Sequence, residues 1–236
     1  MMALKNTSTG AAHPARRLME ELEGVVMGTI SSPQIRSRPA PPDSNALVIR
    51  LGPLRHKLTD DEFFKFCQRN RDLRIEMSKE GEMIIMMAVG SEGGHRNYLL
   101  TVRFGVWAES DGKGVGFDSS TGFTLPNGAK RSPDLAWIRK DRWEAIPKKQ
   151  RKKFAPICPD FVVELRSETD DLETLQAKME EYIANGAKLG WLIDPLEKKV
   201  HVYRPKARVK ILNRPKTLSG APLLKGLKLD LTGILD

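Results

Sequence analysis

Cysteine is scarce in this sequence: only Cys67 and Cys158 occur among its 236 residues. Two cysteines are too few for a disulfide framework or a cysteine-based zinc site, and they suit a reducing compartment. The sequence also lacks any apolar run approaching the roughly 18 residues of a membrane-spanning helix. Residues 1–17 lack the apolar stretch of a signal peptide. We therefore expect a cytoplasmic protein without a membrane partner.

Acidic residues are outnumbered by basic ones, 30 against 39, which gives a formal net charge of +9. The excess lies in the second half of the chain. Residues 140–153 hold seven basic and two acidic residues, and residues 196–236 hold ten basic and three acidic residues. A positive balance favours polyanionic partners such as nucleic acid. A solvated basic surface without such a partner is an equally good interpretation.

The composition of the chain changes near residue 45. Residues 31–45 are rich in Ser, Pro and Arg and cannot bury much apolar area, which predicts a linker. Residues 15–28 have the apolar spacing of a short helix. We expect residues 1–45 to form a flexible N-terminal arm and linker, and residues 46–236 to form one folded domain.

Helix and strand signals alternate within the domain. Thr59 with Glu62 three residues later predicts a capping box at the start of a helix. Residues 73–89 predict a β-hairpin that turns near Lys79–Gly81. Residues 160–167 read as a buried strand.

Two longer helices are also predicted. Residues 171–186 form one of them, closed by Gly186. Residues 91–110 form the other, and the side chains expected to face inward from it are Leu99, Val102, Val106 and Tyr98. Strands beside helices predict an α/β fold in which a mixed β-sheet is flanked by helices.

Two carboxylates stand where the sequence otherwise predicts buried strands. Asp134 opens one strand-like stretch, and Glu164 lies between Val163 and Leu165 in another. A buried carboxylate is costly unless it is paired, hydrogen-bonded or bound to a metal. For each residue alone, a structural ion pair is as good an interpretation as a catalytic role.

The fragments around these carboxylates are more specific than either residue. Pro133-Asp134 followed by Glu164-x-Arg166 resembles the PD-(D/E)XK nuclease motif. In chain order the fragments are RIE (74–76), GEMIIM (81–86), SPDLAWI (132–138), FVVELRSETDDL (161–172) and KMEEYIANGAKLGWLID (178–194). This series resembles the Uma-type restriction endonuclease family, a branch of that superfamily, over roughly residues 46–205.

The resemblance implies a restriction-endonuclease-like core and makes residues 46–236 a nuclease domain. It implies that Asp134 and Glu164 hold Mg²⁺ or Mn²⁺, hard ions that prefer oxygen ligands, with Glu76 as a further carboxylate. The alternative for Glu76 is an exposed strand glutamate. The resemblance also implies a homodimer, because many nucleases of this superfamily pair two active sites.

Two residues are candidates for the basic residue of the motif. Arg166 stands where the superfamily has lysine, and arginine holds its proton too tightly to act as a base. Lys178, in the helix that follows, lies roughly a quarter-turn from the centre of the apolar stripe and is able to reach the neighbouring strand. The resemblance implies the same shift of the lysine, whereas a plain surface lysine is the alternative. Arg166 then remains a candidate for phosphate contact.

His95 is a weaker candidate for phosphate contact, in the glycine-rich turn SEGGHRN. The alternative is a helix cap or an exposed side chain.

Our first hypothesis is a Mg²⁺-dependent DNA endonuclease that hydrolyses phosphodiester bonds. Its catalytic residues are Glu76, Asp134, Glu164 and Lys178, and its basic segments 140–153 and 196–216 hold the phosphate backbone. The second hypothesis is a catalytically inactive nucleic-acid-binding or interaction protein on the same fold, which Arg166 favours. A nuclease for RNA or branched DNA is a third.

Overall fold

The computed structural model describes residues 37–38, 46–50, 58–86 and 88–236. The helices are α1 (Asp60–Arg69), α2 (Ser91–Asp111), α3 (Lys140–Glu144), α4 (Lys148–Arg151) and α5 (Leu172–Ala184). The strands are β1 (Ser37–Arg38), β2 (Ala46–Arg50), β3 (Arg74–Met77), β4 (Glu82–Met86), β5 (Gly114–Asp118), β6 (Phe123–Thr124), β7 (Lys130–Arg131), β8 (Leu135–Arg139), β9 (Phe161–Leu165), β10 (Leu189–Asp194), β11 (Lys199–Tyr203), β12 (Lys210–Asn213), β13 (Thr217–Ser219) and β14 (Lys228–Asp230).

The first six-stranded sheet is antiparallel, in the order β1-β2-β4-β3-β7-β6. Strands β3 and β4 form the predicted hairpin, and Gly81 has a φ of 81° in its turn. Glycine suits this left-handed conformation because it has no Cβ. Strand β3 also pairs with β7, with Met77 opposite Lys130. This pairing brings the residues that follow β7 beside Glu76.

The second six-stranded sheet is mixed, in the order β12-β11-β10-β9-β8-β5. Strands β9 and β10 are parallel and are joined through α5, whereas the other neighbours are antiparallel. Leu135 lies opposite Val163, and Glu164 lies opposite Leu192. The start of β8 and the end of β9 therefore meet at the same end of this sheet. Strands β13 and β14 form a separate pair.

Both faces of the second sheet are covered, which explains the unbroken apolar run Phe161-Val162-Val163. Phe161 and Val163 point into a core that includes Phe104 of α2, whereas Val162 points into a core that includes Met179 of α5. Side chains alternate between the faces along a strand, so each of these residues finds an apolar partner.

Helix α5 packs very closely on β10. A Cβ on Gly190 would lie 2.4 Å from the Cε atom of Met179. Glycine at this position therefore lets the helix approach the sheet, and the side chains beside Met179 on α5 are brought within reach of β9.

The inward face predicted for α2 is wrong. Tyr98, Val102 and Val106 are 63%, 42% and 70% exposed, whereas Leu100, Phe104 and Ala108 are buried. Both stripes have the same four-residue spacing, so periodicity alone does not distinguish them. Phe104 stacks on Phe161 with ring centroids 5.6 Å apart, and this aromatic contact belongs to the buried stripe. Leu99 is partly buried, as expected.

The predictions for the start of α1 and the end of α5 are confirmed. Thr59 and Glu62 form the capping box of α1. Helix α5 ends at Ala184, and Gly186 follows with a φ of 114°. Cys67 and Cys158 are free thiols. The fold is α/β, with mixed sheet and flanking helices as predicted.

The division of the chain at residue 45 stays a prediction. Within the segment expected to be an arm and linker, Ser37–Arg38 pairs with β2. Its other residues, including the helix expected over residues 15–28, lie outside the described part of the chain. The described residues fall within one unit, residues 36–236. Within these described ranges, no helix is long and apolar enough to cross a membrane.

Candidate active site

The structure brings together the four residues that the sequence suggested as catalytic. Glu76 lies on β3, Asp134 directly precedes β8, Glu164 lies on β9, and Lys178 lies on α5. Two features of the fold cause this convergence. The β3–β7 pairing places Ser132 beside Glu76, and the β8–β9 register places Asp134 beside the end of β9.

Lys178 bridges two of the carboxylates. Its Nζ atom lies 2.9 Å from Oε1 of Glu76 and 2.9 Å from Oε1 of Glu164. The side chain is only 10% exposed. Burial by itself lowers the pKa of Lys178, but the charges of Glu164 and Glu76 outweigh burial and raise it overall. Lys178 therefore carries a positive charge at neutral pH.

Glu76 is a fully neutralised carboxylate. Besides Lys178, Oε1 accepts a hydrogen bond from the Ser132 backbone N–H at 2.8 Å, and Oε2 lies 3.2 Å from Nη1 of Arg131. Burial raises the pKa of Glu76, but Lys178 and Arg131 outweigh it and lower the pKa overall. With only 2% of its surface exposed, Glu76 is not the exposed strand glutamate given as its alternative.

Glu164 is buried with fewer hydrogen-bond and ion-pair partners than Glu76. Its Oε1 atom contacts Lys178 and accepts a hydrogen bond from the Tyr182 hydroxyl at 3.1 Å. Burial raises the pKa of Glu164, Lys178 opposes this rise, and the nearby charges of Asp134 and Glu76 add to it. The resulting pKa is about 7. Glu164 therefore changes its protonation state near neutral pH, whereas an ordinary glutamate is ionised there.

Asp134 is held from both sides. Its Oδ2 atom accepts a hydrogen bond from the Leu165 backbone N–H at 2.8 Å, which fixes the carboxylate beside Glu164. Its Oδ1 atom lies 3.2 Å from Nη1 of Arg74. Nη2 of Arg74 in turn donates to the carbonyl oxygen of Ser132 at 2.5 Å. One arginine thus holds the turn that carries Asp134.

Asp134 and Glu164 face a common space. Both line a cavity of about 90 Å³ together with Arg74 and Lys178. Asp134 and Arg74 also line an adjoining cavity of about 340 Å³, between the start of α2 and residues 166–169. We refer to the two cavities together as the cleft.

The donor atoms suit a hard divalent ion. Among the described residues, no group of three or more His, Cys, Asp or Glu side chains is arranged to hold a metal. However, Mg²⁺ is usually held by one or two carboxylates and keeps several of its waters. A cavity of about 90 Å³ has room for several waters, since about 10–15 Å³ of such space admits one. Asp134 and Glu164 therefore fit such an ion, whereas Glu76 already has three donors.

The two candidates for phosphate contact lie apart from this cluster. Arg166 donates through Nη1 to the buried Asp194 at 2.8 Å and through Nε to the Asp170 carbonyl oxygen at 3.2 Å. It lines the larger cavity but holds the end of β9 to the end of β10. His95 is exposed on α2. It is not one of the described residues that line the cleft.

Sequence reasoning missed three residues of the cluster. Arg74 precedes Glu76 by two positions on β3, which was a usable signal because such residues share a strand face. Tyr182 follows Lys178 by four positions, the spacing of neighbours on a helix. No local pattern indicated Arg131, which connects Glu76 to Glu181 with 2.6 Å between its Nε and Oε2 of Glu181.

The fold resembles that of a protein whose crystal structure has been solved. The crystal structure of a "putative nuclease belonging to DUF820" from Anabaena variabilis superposes with a TM-score of 0.60 at 21% sequence identity. The match covers 75% of this chain and 97% of that chain. This likeness shows a shared α/β fold.

The family assignment comes from the sequence itself. Residues 60–232 match the family Uma2, whose description is "Putative restriction endonuclease". The chain belongs to this family, as the order of its fragments predicted. None of the curated proteins compared with the chain matches it.

Proposed function

We propose that the protein is a metal-dependent endonuclease that hydrolyses phosphodiester bonds in DNA. The observation that carries the proposal is the placement of Asp134 and Glu164 in one cavity beside the buried Lys178. Asp134 and Glu164 would hold Mg²⁺ or Mn²⁺. When bound, such an ion supplies an activated water and stabilises the charge that grows on phosphoryl oxygens.

The residues of this chain have distinct roles in the proposed reaction. Lys178 stabilises negative charge beside Glu164. Its ammonium has three N–H donors and contacts two carboxylates, which leaves one donor to orient a water in the cavity that it lines. Glu76 positions Lys178, and Arg131 positions Glu76. Tyr182 orients Glu164 by donating to Oε1. In this assignment Glu76 acts on Lys178 rather than as a metal ligand.

The position of Lys178 weakens the case for an inactive binding module. That hypothesis rested on Arg166 at the position where the motif has lysine. Lys178 supplies an ammonium to Glu164 from a different element, 2.9 Å away. Arg166 meanwhile has a structural partner in Asp194. The missing lysine of the motif is therefore no argument against catalysis.

The test is incubation of the purified protein with supercoiled plasmid DNA in Mg²⁺, in Mn²⁺ and in EDTA. We expect nicking or linearisation that depends on the metal and is lost in Asp134→Asn and Glu164→Gln. Glu180→Gln is the matched control, since Glu180 is an exposed carboxylate on the same helix as Lys178. Equal cleavage by all variants would indicate a contaminating nuclease and defeat the proposal. Tight DNA binding without cleavage in any metal would favour the binding module. A labelled RNA in parallel tests the substrate class.

The homodimer implied by the family resemblance stays a prediction.

A further inference from the structure

Arg74 occupies a unique place among the cavities of the described part of the chain. It lines both cavities of the cleft, of about 90 and 340 Å³. It also lines a third cavity of about 630 Å³, formed by the end of α1, the start of β3 and residues 119–120. No other described residue lines all three. An extended ligand that passes between any two of these cavities meets this guanidinium.

The other cations of the site are committed to protein partners. Lys178 and Arg131 each contact two carboxylates, and each has a side chain that is only 10% exposed. Arg166 is 18% exposed and is paired with a fully buried aspartate. The Arg74 side chain is 33% exposed. Arg74 is thus the most accessible of these four positive groups.

The contacts of Arg74 leave donors for a further partner. Nη2 is anchored on the Ser132 carbonyl oxygen, and Nη1 meets Asp134 at 3.2 Å. Its Nε atom is buried without a hydrogen-bond partner in the described part of the chain. A guanidinium has five N–H groups in a planar fork, which matches the oxygens of carboxylates and phosphates equally well.

We propose that Arg74 is a catalytic residue with two alternative partners, an inference that rests on the proposed nuclease function. In the free protein Arg74 holds Asp134. When the nucleic-acid strand enters the cleft, Arg74 turns its fork to a non-bridging oxygen of the scissile phosphate and leaves Asp134 to the metal ion. Arg74 therefore competes with the metal for Asp134 before substrate binds and stabilises the phosphate afterwards.

Two opposite effects in one variant distinguish this role from a structural one. Without Arg74 the metal has no competitor at Asp134, so Arg74→Met should bind Mn²⁺ about 3- to 10-fold more tightly than the wild type in the absence of DNA. The same variant loses a charged hydrogen bond to the phosphate. Its kcat for plasmid cleavage at saturating Mn²⁺ should fall about 10- to 100-fold. A purely structural arginine would weaken both properties together.

The experiment measures Mn²⁺ binding by titration calorimetry and cleavage by gel assay on the same protein samples. Arg96→Met is the matched control. Arg96 lines the same cleft and is paired with a carboxylate, Glu92, that is not one of the proposed metal ligands. It should leave the Mn²⁺ affinity unchanged. Arg74→Lys keeps the charge but not the fork, so its Mn²⁺ affinity should match the wild type while kcat falls about 10-fold. This variant tests the inference even where Arg74→Met does not fold.

Several results would overturn the inference. One is Arg74→Met with unchanged or weaker Mn²⁺ binding, and another is Arg74→Met cleavage at the wild-type rate. In both cases wild-type cleavage would leave the proposed function intact. If the wild-type protein neither binds Mn²⁺ nor cleaves DNA, the proposed function fails and the role of Arg74 fails with it.

Discussion

Lys178 of α5 and Glu164 of β9 form a buried ion pair, with 2.9 Å between Nζ and Oε1. Lys178 should therefore matter more to catalysis than Arg166, although Arg166 holds the motif position. The ammonium of Lys178 is a compact positive charge placed between Glu164 and Glu76, whereas the guanidinium of Arg166 is held by Asp194. We expect Lys178→Met to lower the cleavage rate at least about 100-fold, and Arg166→Met to lower it less. Single-turnover rates at saturating Mg²⁺ compare the two.

Folding must be controlled in this comparison. Removing Lys178 leaves two buried carboxylates without their shared cation, and the loss of one partner of a buried pair typically costs about 3–5 kcal/mol. Arg166→Met also removes the ion-pair partner of the buried Asp194. Both variants should be assayed below their melting temperatures, with circular dichroism as the check. If folded Arg166→Met were the slower enzyme, the catalytic cation would be Arg166.

Glu164 should make the metal-free protein less stable as the pH rises. The folded pKa of about 7 lies above the usual value of 4.5, so the folded state binds more protons than the unfolded state between these two values. The free energy of unfolding then falls as pH rises through this window. The full change is roughly 3 kcal/mol, at about 1.36 kcal/mol for each pH unit between the two pKa values.

The variant Glu164→Gln removes this titration. Chemical denaturation in EDTA at pH 5 and pH 8 measures the effect. The stability of the variant relative to the wild type should increase as the pH rises, and the substitution should be neutral or stabilising at pH 8. It should also reduce the rise in melting temperature that Mg²⁺ causes. A loss of several kcal/mol at both pH values would instead identify Glu164 as a structural partner of Lys178.

Tyr182→Phe tests whether the hydroxyl orients Glu164. The substitution keeps the buried ring and removes the hydrogen bond to Oε1. A hydrogen bond to a charged group is typically worth about 1.5–3 kcal/mol, so stability at pH 8 should fall by about that amount. The pKa of Glu164 should rise further because its charged form loses a donor, and Mn²⁺ binding should require a higher pH. Tyr203→Phe is a control, since Tyr203 lies in the same core.

Much of this site was predictable because its residues stand out against their local pattern. Glu164 interrupts an apolar strand, and Asp134 follows a proline at the start of another. The position of Lys178 beside the apolar stripe of its helix also indicated that it reaches the neighbouring strand. Each of these signals lies within one element and is visible in the sequence.

The pairing of the cluster was not predictable, because it depends on contacts between distant elements. Arg131 reaches Glu76 only because β7 pairs with β3, and a pairing at a single residue pair, Met77 and Lys130, leaves no sequence signal. The prediction of the buried face of α2 was wrong for a related reason. Its two apolar stripes have equal periodicity, and they are distinguished by packing against distant residues, such as the contact of Phe104 with Phe161 on β9.

From the proposed function, we expect the basic residues for DNA at the end of the second sheet that carries Asp134 and Glu164. Lys199 on β11 pairs with Asp194 on β10 and with Asn213 on β12. Lys198 and Arg214 adjoin these residues, and the Arg214 N–H donates to the Lys198 carbonyl oxygen at 2.8 Å. Both side chains are exposed at that end.

The basic segment 140–153 begins at the opposite end of the same sheet. It follows Arg139, the last residue of β8, whereas Asp134 precedes the first. Five residues of extended strand separate the two ends by about 16 Å, at roughly 3.3 Å per residue. Lys148 and Lys149 of this segment are exposed and serve as the comparison pair for Lys198 and Arg214.

We therefore expect the double variant Lys198→Gln/Arg214→Gln to bind duplex DNA more weakly than Lys148→Gln/Lys149→Gln, although each pair removes two positive charges. Each phosphate contact contributes about 0.9 to the slope of log affinity against log salt, so the first pair should reduce the slope by up to about 1.8. The second pair should leave the slope near that of the wild type. Fluorescence anisotropy of a labelled duplex in Ca²⁺, between 50 and 200 mM salt, measures both slopes under one set of conditions. Equal effects of the two pairs would mean that DNA is attracted by net charge alone, and the reverse ranking would place the DNA contacts on segment 140–153.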